Sequence, residues 1–395
     1  MTVDWRTRLS VNSEGRIIAN LPNLSLILVH DPDTLGVYGY DTFADRPMVL
    51  RPPPYRGLDP TTFPRLLTDS DRRGIRSWLQ ERYALQNNAP YDDAIIRACE
   101  LSAYNPVTDY LSGLVWDRTP RIASIYTDLL GGTVNTGIEP VLIRKWLIAA
   151  VARALSPGCQ ADNVLILVGS EGLGKTSFFR IIASPWSLET SIDIDTRDQL
   201  MVLQSGWIVE LSEFSSVRGA RSIDRVKAFF TRTTDVYRRP WGRVIAEQPR
   251  HCVFAGTLNL TEFLTLEDGN RRYWPISIGE LNRDAAAEQR DQIWAEAVNA
   301  YASGEHWWLE KDIDLKALQK VHRKHLEQDP WEPLIEEYVA GRQDGVSIRD
   351  ILQFALQLPV KDWDIRHRRR VGAILRSLGY WNQSRNQIWR KLVER

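Results

Sequence analysis

Only three cysteines and three methionines occur in the 395 residues, and Cys99, Cys159 and Cys252 lie far apart. That count excludes a disulfide framework, and the spacing offers no paired-thiolate metal site. They read as reduced core residues. No uninterrupted apolar run approaches the roughly twenty residues of a membrane-spanning helix, and Met1-Thr2-Val3-Asp4-Trp5-Arg6 is no secretory leader. A cytoplasmic protein with no membrane partner is therefore expected. Net charge is missing too, with 50 basic residues against 50 acidic, so no global field draws the chain to nucleic acid. There is no internal repeat and no low-complexity segment. What remains is an ordinary globular composition, 43% hydrophobic and 25% charged, on a chain long enough for two or three domains.

Against that background one segment carries chemistry. Gly169-Ser-Glu-Gly172-Leu-Gly174-Lys175-Thr176 follows the apolar run Val164-Leu165-Ile166-Leu167-Val168. Such a run is the pattern of a buried parallel strand. Residues 177–182, starting at Ser177, continue with a helix-like apolar face. Glycines let the turn fold with its N–H groups toward phosphate oxygens, and the helix opening adds the positive end of its dipole. Lys175 is expected to reach the β- and γ-phosphates of ATP and the Thr176 hydroxyl to ligate Mg²⁺. Gly169, Gly172, Gly174, Lys175, Thr176 and Ser177 form the expected nucleotide cradle.

Downstream elements specify the kind of nucleotide chemistry. Residues 207–213, Trp-Ile-Val-Glu-Leu-Ser-Glu, read as a strand ending in two carboxylates. Glu210 suits the metal side and Glu213 the positioning of attacking water, although the two roles are interchangeable at this level. Residues 223–231 read as a helix carrying Lys227. Residues 235–244 read as a hairpin around Pro240-Trp241-Gly242, with Arg238, Arg239, Trp241 and Arg243 able to track a single-stranded backbone. Residues 251–259 read as a third buried strand ending in Asn259, whose amide suits the γ-phosphate or its water. Arg271 and Arg272 then stand in a turn before another strand. Arginine suits charge developing on a transferring phosphoryl group, and in an oligomer the pair would face a neighbour's nucleotide.

Three parts are expected. Residues 1–158 begin with a small β-rich start, including short pieces at 16–20 and 24–29, and become helical from Asp69 behind the capping groups of Thr68-Asp69-Ser70-Asp71. Further helical patterning covers 92–101, 107–114, 122–130 and 144–155. Residues 159–310 hold the parallel-sheet nucleotide core. Residues 330–395 hold three short helices (331–339, 347–355 and 366–378) and a small hairpin, a winged-helix-like arrangement. Residues 361–395 carry ten basic residues against three acidic ones. Arg368, Arg369 and Arg370, with tryptophans nearby, are candidates for nucleic-acid contact.

The set G-S-E-G-L-G-K-T, W-I-V-E-L-S-E, R-R-P-W-G-R, F-A-G-T-L-N and D-G-N-R-R-Y-W-P resembles the virulence-associated protein E family. These are phage and mobile-element proteins related to superfamily 3 helicases. The resemblance is strong from about residue 101 to 278. It implies an α/β fold with an AAA+-like P-loop core, ATP bound between subunits of a ring (a hexamer), and hairpins gripping single-stranded or forked DNA during replication initiation. It further implies magnesium and hydrolysis roles for Glu210 and Glu213, sensing for Asn259, and trans action for Arg271 or Arg272. Many relatives carry a primase domain, whereas residues 1–100 show no acidic metal triad of that kind. Priming would then come from a separate protein. The competing expectation is a nucleotide-switched DNA- or protein-binding defence ATPase without unwinding. A small-molecule P-loop kinase is more distant, for want of an evident acceptor pocket.

Overall fold

The structure is a computed structural model that describes residues 4–55, 63–85, 88–134, 137–190, 197–211, 223–238, 245–259, 270–310, 312–325, 329–342, 345–383 and 388–391. Among these residues no helix is long and apolar enough to cross a membrane.

The N-terminal part is a mixed module with its own core. Strands β1 (Tyr38–Asp41), β2 (Arg46–Val49), β3 (Arg65–Leu66) and β4 (Ala103–Tyr104) form a sheet in the order β3-β2-β1-β4. Helices Leu21–His30, Asp69–Tyr83 and Tyr91–Leu101 cover it, burying Leu24, Ile27, Ile75, Leu79 and Ile95. The Asp69–Tyr83 helix starts where its capping signal sits, with Thr68 and Asp71 forming a reciprocal capping box. The apolar run at 24–29 does not form an extended piece. It lies inside helix Leu21–His30, because Asn20 caps the backbone N–H of Asn23 and proline occupies the first turn. Ile17 enters only an isolated bridge with Val11.

Next come β5 (Val164–Val168), β6 (Ser187–Thr190), β7 (Ile208–Leu211), β8 (Thr234–Arg238), β9 (Ile245–Pro249), β10 (Val253–Leu258) and β11 (Tyr273–Ser277). Five of them make a sheet in the order β11-β5-β10-β7-β6, every pairing parallel. Strand β5 is buried on both faces. Leu165 and Leu167 join one core with Phe178, Trp294 and Trp146. Val164, Ile166 and Val168 join the other with Phe229, Phe230 and Phe254. The first layer contains helices Lys175–Ala183, Arg283–Ala302 and Glu139–Leu155. The last is pinned by Trp146, whose indole donates to Phe254 O at 2.8 Å, and by Trp207, whose indole donates to Ala150 O at 2.9 Å. Helix Asp312–Lys324 adds Leu318 and Val321 to the same core.

The expected helix at 122–130 is a 3₁₀ turn, Ile122–Ser124, running into a π turn, Ile125–Leu129. The Tyr126 ring lies over Gly132, where any Cβ would fall 2.2 Å from Tyr126 Cε2. Its hydroxyl donates to Ser277 O at 2.9 Å. Docking onto the end of β11 thus overrides the ordinary helical pattern.

Strands β8 and β9 pair antiparallel, from Thr234 opposite Pro249 to Arg238 opposite Ile245. The hairpin tip, with Arg239, Trp241 and Arg243, lies outside the described residues. Its base is tied down by a buried ion pair. Arg250 Nε donates to Asp235 Oδ2 at 3.0 Å, and its Nη2 also reaches Asp235. The fully buried Arg153 donates to Arg250 O at 2.9 Å. The N-terminal module reaches the same place, because buried Phe43 packs its ring 3.9 Å from that of His251. Burial lowers the His251 pKa to about 4, so this imidazole is neutral at physiological pH.

The C-terminal part has helices Glu332–Val339, Ile348–Asp350 (continuing as a π turn, Ile351–Ala355) and Ile365–Ser377. Strands β12 (Val346–Ser347), β13 (Tyr380–Gln383) and β14 (Ile388–Lys391) pair antiparallel in the order β12-β14-β13. Ile335, Ile351, Val371, Ile374 and Trp389 form its core.

Asp235→Ala strips the only carboxylate described on Arg250 and leaves a buried charge uncompensated. We expect a loss of about 3–5 kcal/mol, read as a lower urea midpoint of the full chain.

Candidate functional site

The site is built at the carboxyl ends of β5, β10 and β7. From β5 the chain crosses to the far edge at β6 and works back through β7 and β10. It then passes over β5 to β11 on the other side. Ligand crevices in open α/β sheets form at such reversals of direction. The glycine turn leaves β5 at Gly169, whose N–H donates to Leu258 O at 3.1 Å. The turn then opens helix Lys175–Ala183 with Gly174 as its N-cap. Gly172 and Gly174 have φ of +87° and +89°, a left-handed conformation natural to glycine. The first N–H groups of the helix have no intrahelical acceptor and face outward from this turn.

Lys175 is buried and folds back on the turn. Its Nζ donates to Gly169 O at 2.8 Å and to Ser170 O at 2.7 Å. Burial lowers its pKa, partly offset by Glu171. Thr176 Oγ1 donates to Glu210 Oε1 at 2.7 Å. A second hydroxyl, from Thr257, donates to the same oxygen at 2.9 Å. Glu210 is 1% exposed, and burial raises its pKa while the Thr176 and Thr257 hydroxyls oppose the shift. A cleft of about 270 Å³ opens beside them, lined by Thr176, Arg180, Ser184, Ser187, Glu189 and Glu210. Glu189 on β6 is the register partner of Glu210 on β7, and Arg180 approaches Glu189 at 3.4 Å.

The sequence therefore names most of what meets here. Gly169, Gly172, Gly174, Lys175, Thr176 and Glu210 are brought together, and Ser177 follows on the helix. Asn259 is exposed and directly follows Leu258, the residue that anchors the glycine turn. Thr257, Arg180 and Glu189 were not foreseen. No local motif marks them, because only strand register and the helix turn after Thr176 bring them in. Glu213 lies outside the described residues.

Arg271 and Arg272 sit elsewhere. They end a 3₁₀ turn before β11, whose first residue, Tyr273, pairs with Val164 at the start of β5. The glycine turn follows Val168 at the other end of that strand. Arg272 Nε is held by Asp162 Oδ2 at 3.0 Å, whereas the Arg271 side chain is exposed. Lys227 is half-buried on helix Ile223–Thr231. Arg238 closes the paired part of β8, and its side chain is not among the described ones. Arg368 and Arg369 are exposed on helix Ile365–Ser377. Arg370 makes two hydrogen bonds to Asp329, at 2.7 and 2.8 Å, and its guanidinium lies 3.9 Å from the Trp331 ring centroid.

Among the described residues no three His, Cys, Asp or Glu side chains cluster as a metal cage. One hydroxyl and one carboxylate beside a glycine turn suit a hard cation that arrives with phosphate oxygens and keeps several waters.

The model of the virulence-associated protein E-like domain matches residues 111–327, more than half of the chain. Among curated proteins none matches in sequence. Two solved structures of the apo C-terminal region of NrS-1 align with this chain. One is 12% identical over 90% of this chain and 96% of that one, with a TM-score of 0.49. The other, an A form, is 13% identical over 95% and 100%, with a TM-score of 0.46. Likeness at this level says nothing of activity.

The turn itself gives a stability test. Gly172 has open space for a Cβ, so Gly172→Ala should cost only the left-handed strain, about 1–2 kcal/mol. A Cβ at Gly174 would fall 2.9 Å from Leu281 Cβ. Gly174→Ala should therefore cost about 1–3 kcal/mol more. Thermal melting of the two variants checks the order.

Proposed function

Because the chain belongs to the virulence-associated protein E-like family, we propose that it is an ATP-hydrolysing replication protein of a phage or mobile element, working as a ring-forming DNA helicase. The observation that carries this reading is that Lys175 folds onto the glycine turn while the next residue, Thr176, bonds the buried Glu210 carboxylate. Lys175 and Glu210 are both held against their charged forms by burial. A ligand that brings anionic oxygens to Lys175 and a cation to Glu210 relieves both at once, and Mg²⁺-ATP is such a ligand.

In this reading Gly169 to Thr176 hold the triphosphate through backbone N–H groups and the helix dipole. Lys175 exchanges the carbonyls of Gly169 and Ser170 for β- and γ-oxygens. Thr176 and Glu210 would hold Mg²⁺, which would supply charge neutralisation for phosphoryl transfer. Glu213 or Glu210 orients the attacking water, and Asn259 reports on the γ-phosphate. The parallel sheet serves as an AAA+-type P-loop core spanning residues 159 to about 310, behind the region 1–158.

The arginine pair supports action between subunits. It lies at the end of the sheet opposite the chain's own turn, so its use in hydrolysis requires a neighbour. Arg272 already has Asp162 as a partner, which favours Arg271 as the trans-acting residue. A closed ring, hexameric in the family's manner, would place the β8–β9 hairpin on single-stranded or forked DNA through Arg238, Arg239, Trp241 and Arg243, with Lys227 behind it. The C-terminal part, 330–395, is assigned as a winged-helix-like nucleic-acid contact. Arg368 and Arg369, both exposed, are its candidate cations in preference to Arg370, which Asp329 holds. A separate primase would supply primers.

Lys175→Ala should abolish ATP turnover in the presence of single-stranded DNA. Arg271→Ala should reduce turnover at least a hundredfold while binding ATP normally, and Arg272→Ala should do so less. Turnover indifferent to every nucleic acid would sink the helicase reading. Failure to displace a strand from forked DNA, with turnover intact, would leave the nucleotide-switched binding protein.

A further inference from the structure

Glu210 is gripped from two sides, and only one grip belongs to the glycine turn. The other comes from β10, which runs between the turn's strand β5 and the Glu210 strand β7. Register places Ala255 beside Glu210, and Thr257, two residues on, shares the face of Ala255. That face also meets helix Lys175–Ala183, through Ala255, Phe178 and Phe179 in one core. The Thr257 hydroxyl therefore arrives at Glu210 Oε1 from within the sheet, at 2.9 Å, while Thr176 arrives from the helix at 2.7 Å. Among the described residues Glu210 Oε2 takes no hydrogen bond.

We infer that Thr257 is a positioning residue for Glu210, fixing the carboxylate so that Oε2 is presented to the cation or its water while Thr176 is engaged by the ligand. This rests on the ATP-hydrolysis reading above and adds a residue to it. The terminal torsion of a glutamate is broad, so one donor leaves the carboxylate free to swing. A second donor, on a different element, removes that freedom. Thr176 cannot supply it alone, because its oxygen is the atom a cation would use, and its donation geometry changes on loading. Thr257 lies on β10 and not on the glycine turn, so a ligand on the turn does not compete for its hydroxyl.

The competing account is a threonine that only satisfies its own hydroxyl in a buried strand. Its neighbours on β10 are Val253, Phe254, Ala255, Gly256 and Leu258, where valine would fill the same space and has high strand propensity. Removing the hydroxyl alone therefore separates the two accounts.

The experiment uses the full chain and its Thr257→Val and Thr257→Ser variants, with thermal melting of each to confirm folding. Binding of a fluorescent ATP analogue is measured in EDTA and against rising Mg²⁺, alongside steady-state turnover. For Thr257→Val the expected result is unchanged affinity in EDTA and about a tenfold higher Mg²⁺ requirement, the scale of one hydrogen bond to a charged group. The kcat should fall about tenfold with little change in KM, and Thr257→Ser should restore both. If Thr257→Val matches the wild type in the Mg²⁺ titration, or if Thr257→Ser restores nothing, the inference is overturned. A wild-type chain that binds no analogue under either condition would instead overturn the ATP reading on which it rests.

Discussion

Everything at the candidate site depends on the burial of β5 from both faces. Its five residues are all fully buried, each contributing about 1.5–3 kcal/mol relative to exposure. A strand so enclosed cannot slide, because a one-residue shift would exchange Leu165 and Leu167 with Val164, Ile166 and Val168 between two different cores. The glycine turn leaves from the end of that fixed strand. Its left-handed glycines and the Leu281 contact beneath Gly174 are affordable only because the anchor does not move. Segment 278–282 completes the support. Leu281 N–H donates to Leu173 O, and Gly279 and Asn282 N–H groups donate to Leu130 and Leu129.

Much of this was legible from local pattern. The glycine turn, the strand before it and the helix after it are contiguous in sequence, and each is specified by its own residue types. The Asp69–Tyr83 helix was legible for the same reason, since its cap and its apolar period are local. The run at 24–29 was not, because a six-residue apolar stretch suits a strand or a buried helix equally, and Asn20 with Pro22 decides it. The π turn at Ile125–Leu129 was beyond reach, because it follows from docking on Ser277, 151 residues away.

The site residues divide in the same way. Lys175, Thr176 and Glu210 announce themselves by type and spacing. Thr257 and Glu189 do not, since they join only through register between strands that are distant in sequence. Arg271 and Arg272 are indistinguishable as neighbours in a chain. Asp162, 110 residues earlier, separates them by binding one. Arg370 looks like part of a basic run until Asp329 and Trp331 close on it. Long-range ion pairs remove charges that composition counts as available.

The Phe43–His251 contact has a thermodynamic consequence. Phe43 belongs to the β1–β2 loop of the N-terminal module, yet its ring is counted in the core that holds the sheet. His251 lies between Arg250, which clamps Asp235 at the hairpin base, and β10. Loss of the N-terminal module would open a phenylalanine-sized void beside that clamp. Burial at the hairpin base is thus completed by a side chain of the first module, some two hundred residues earlier in sequence.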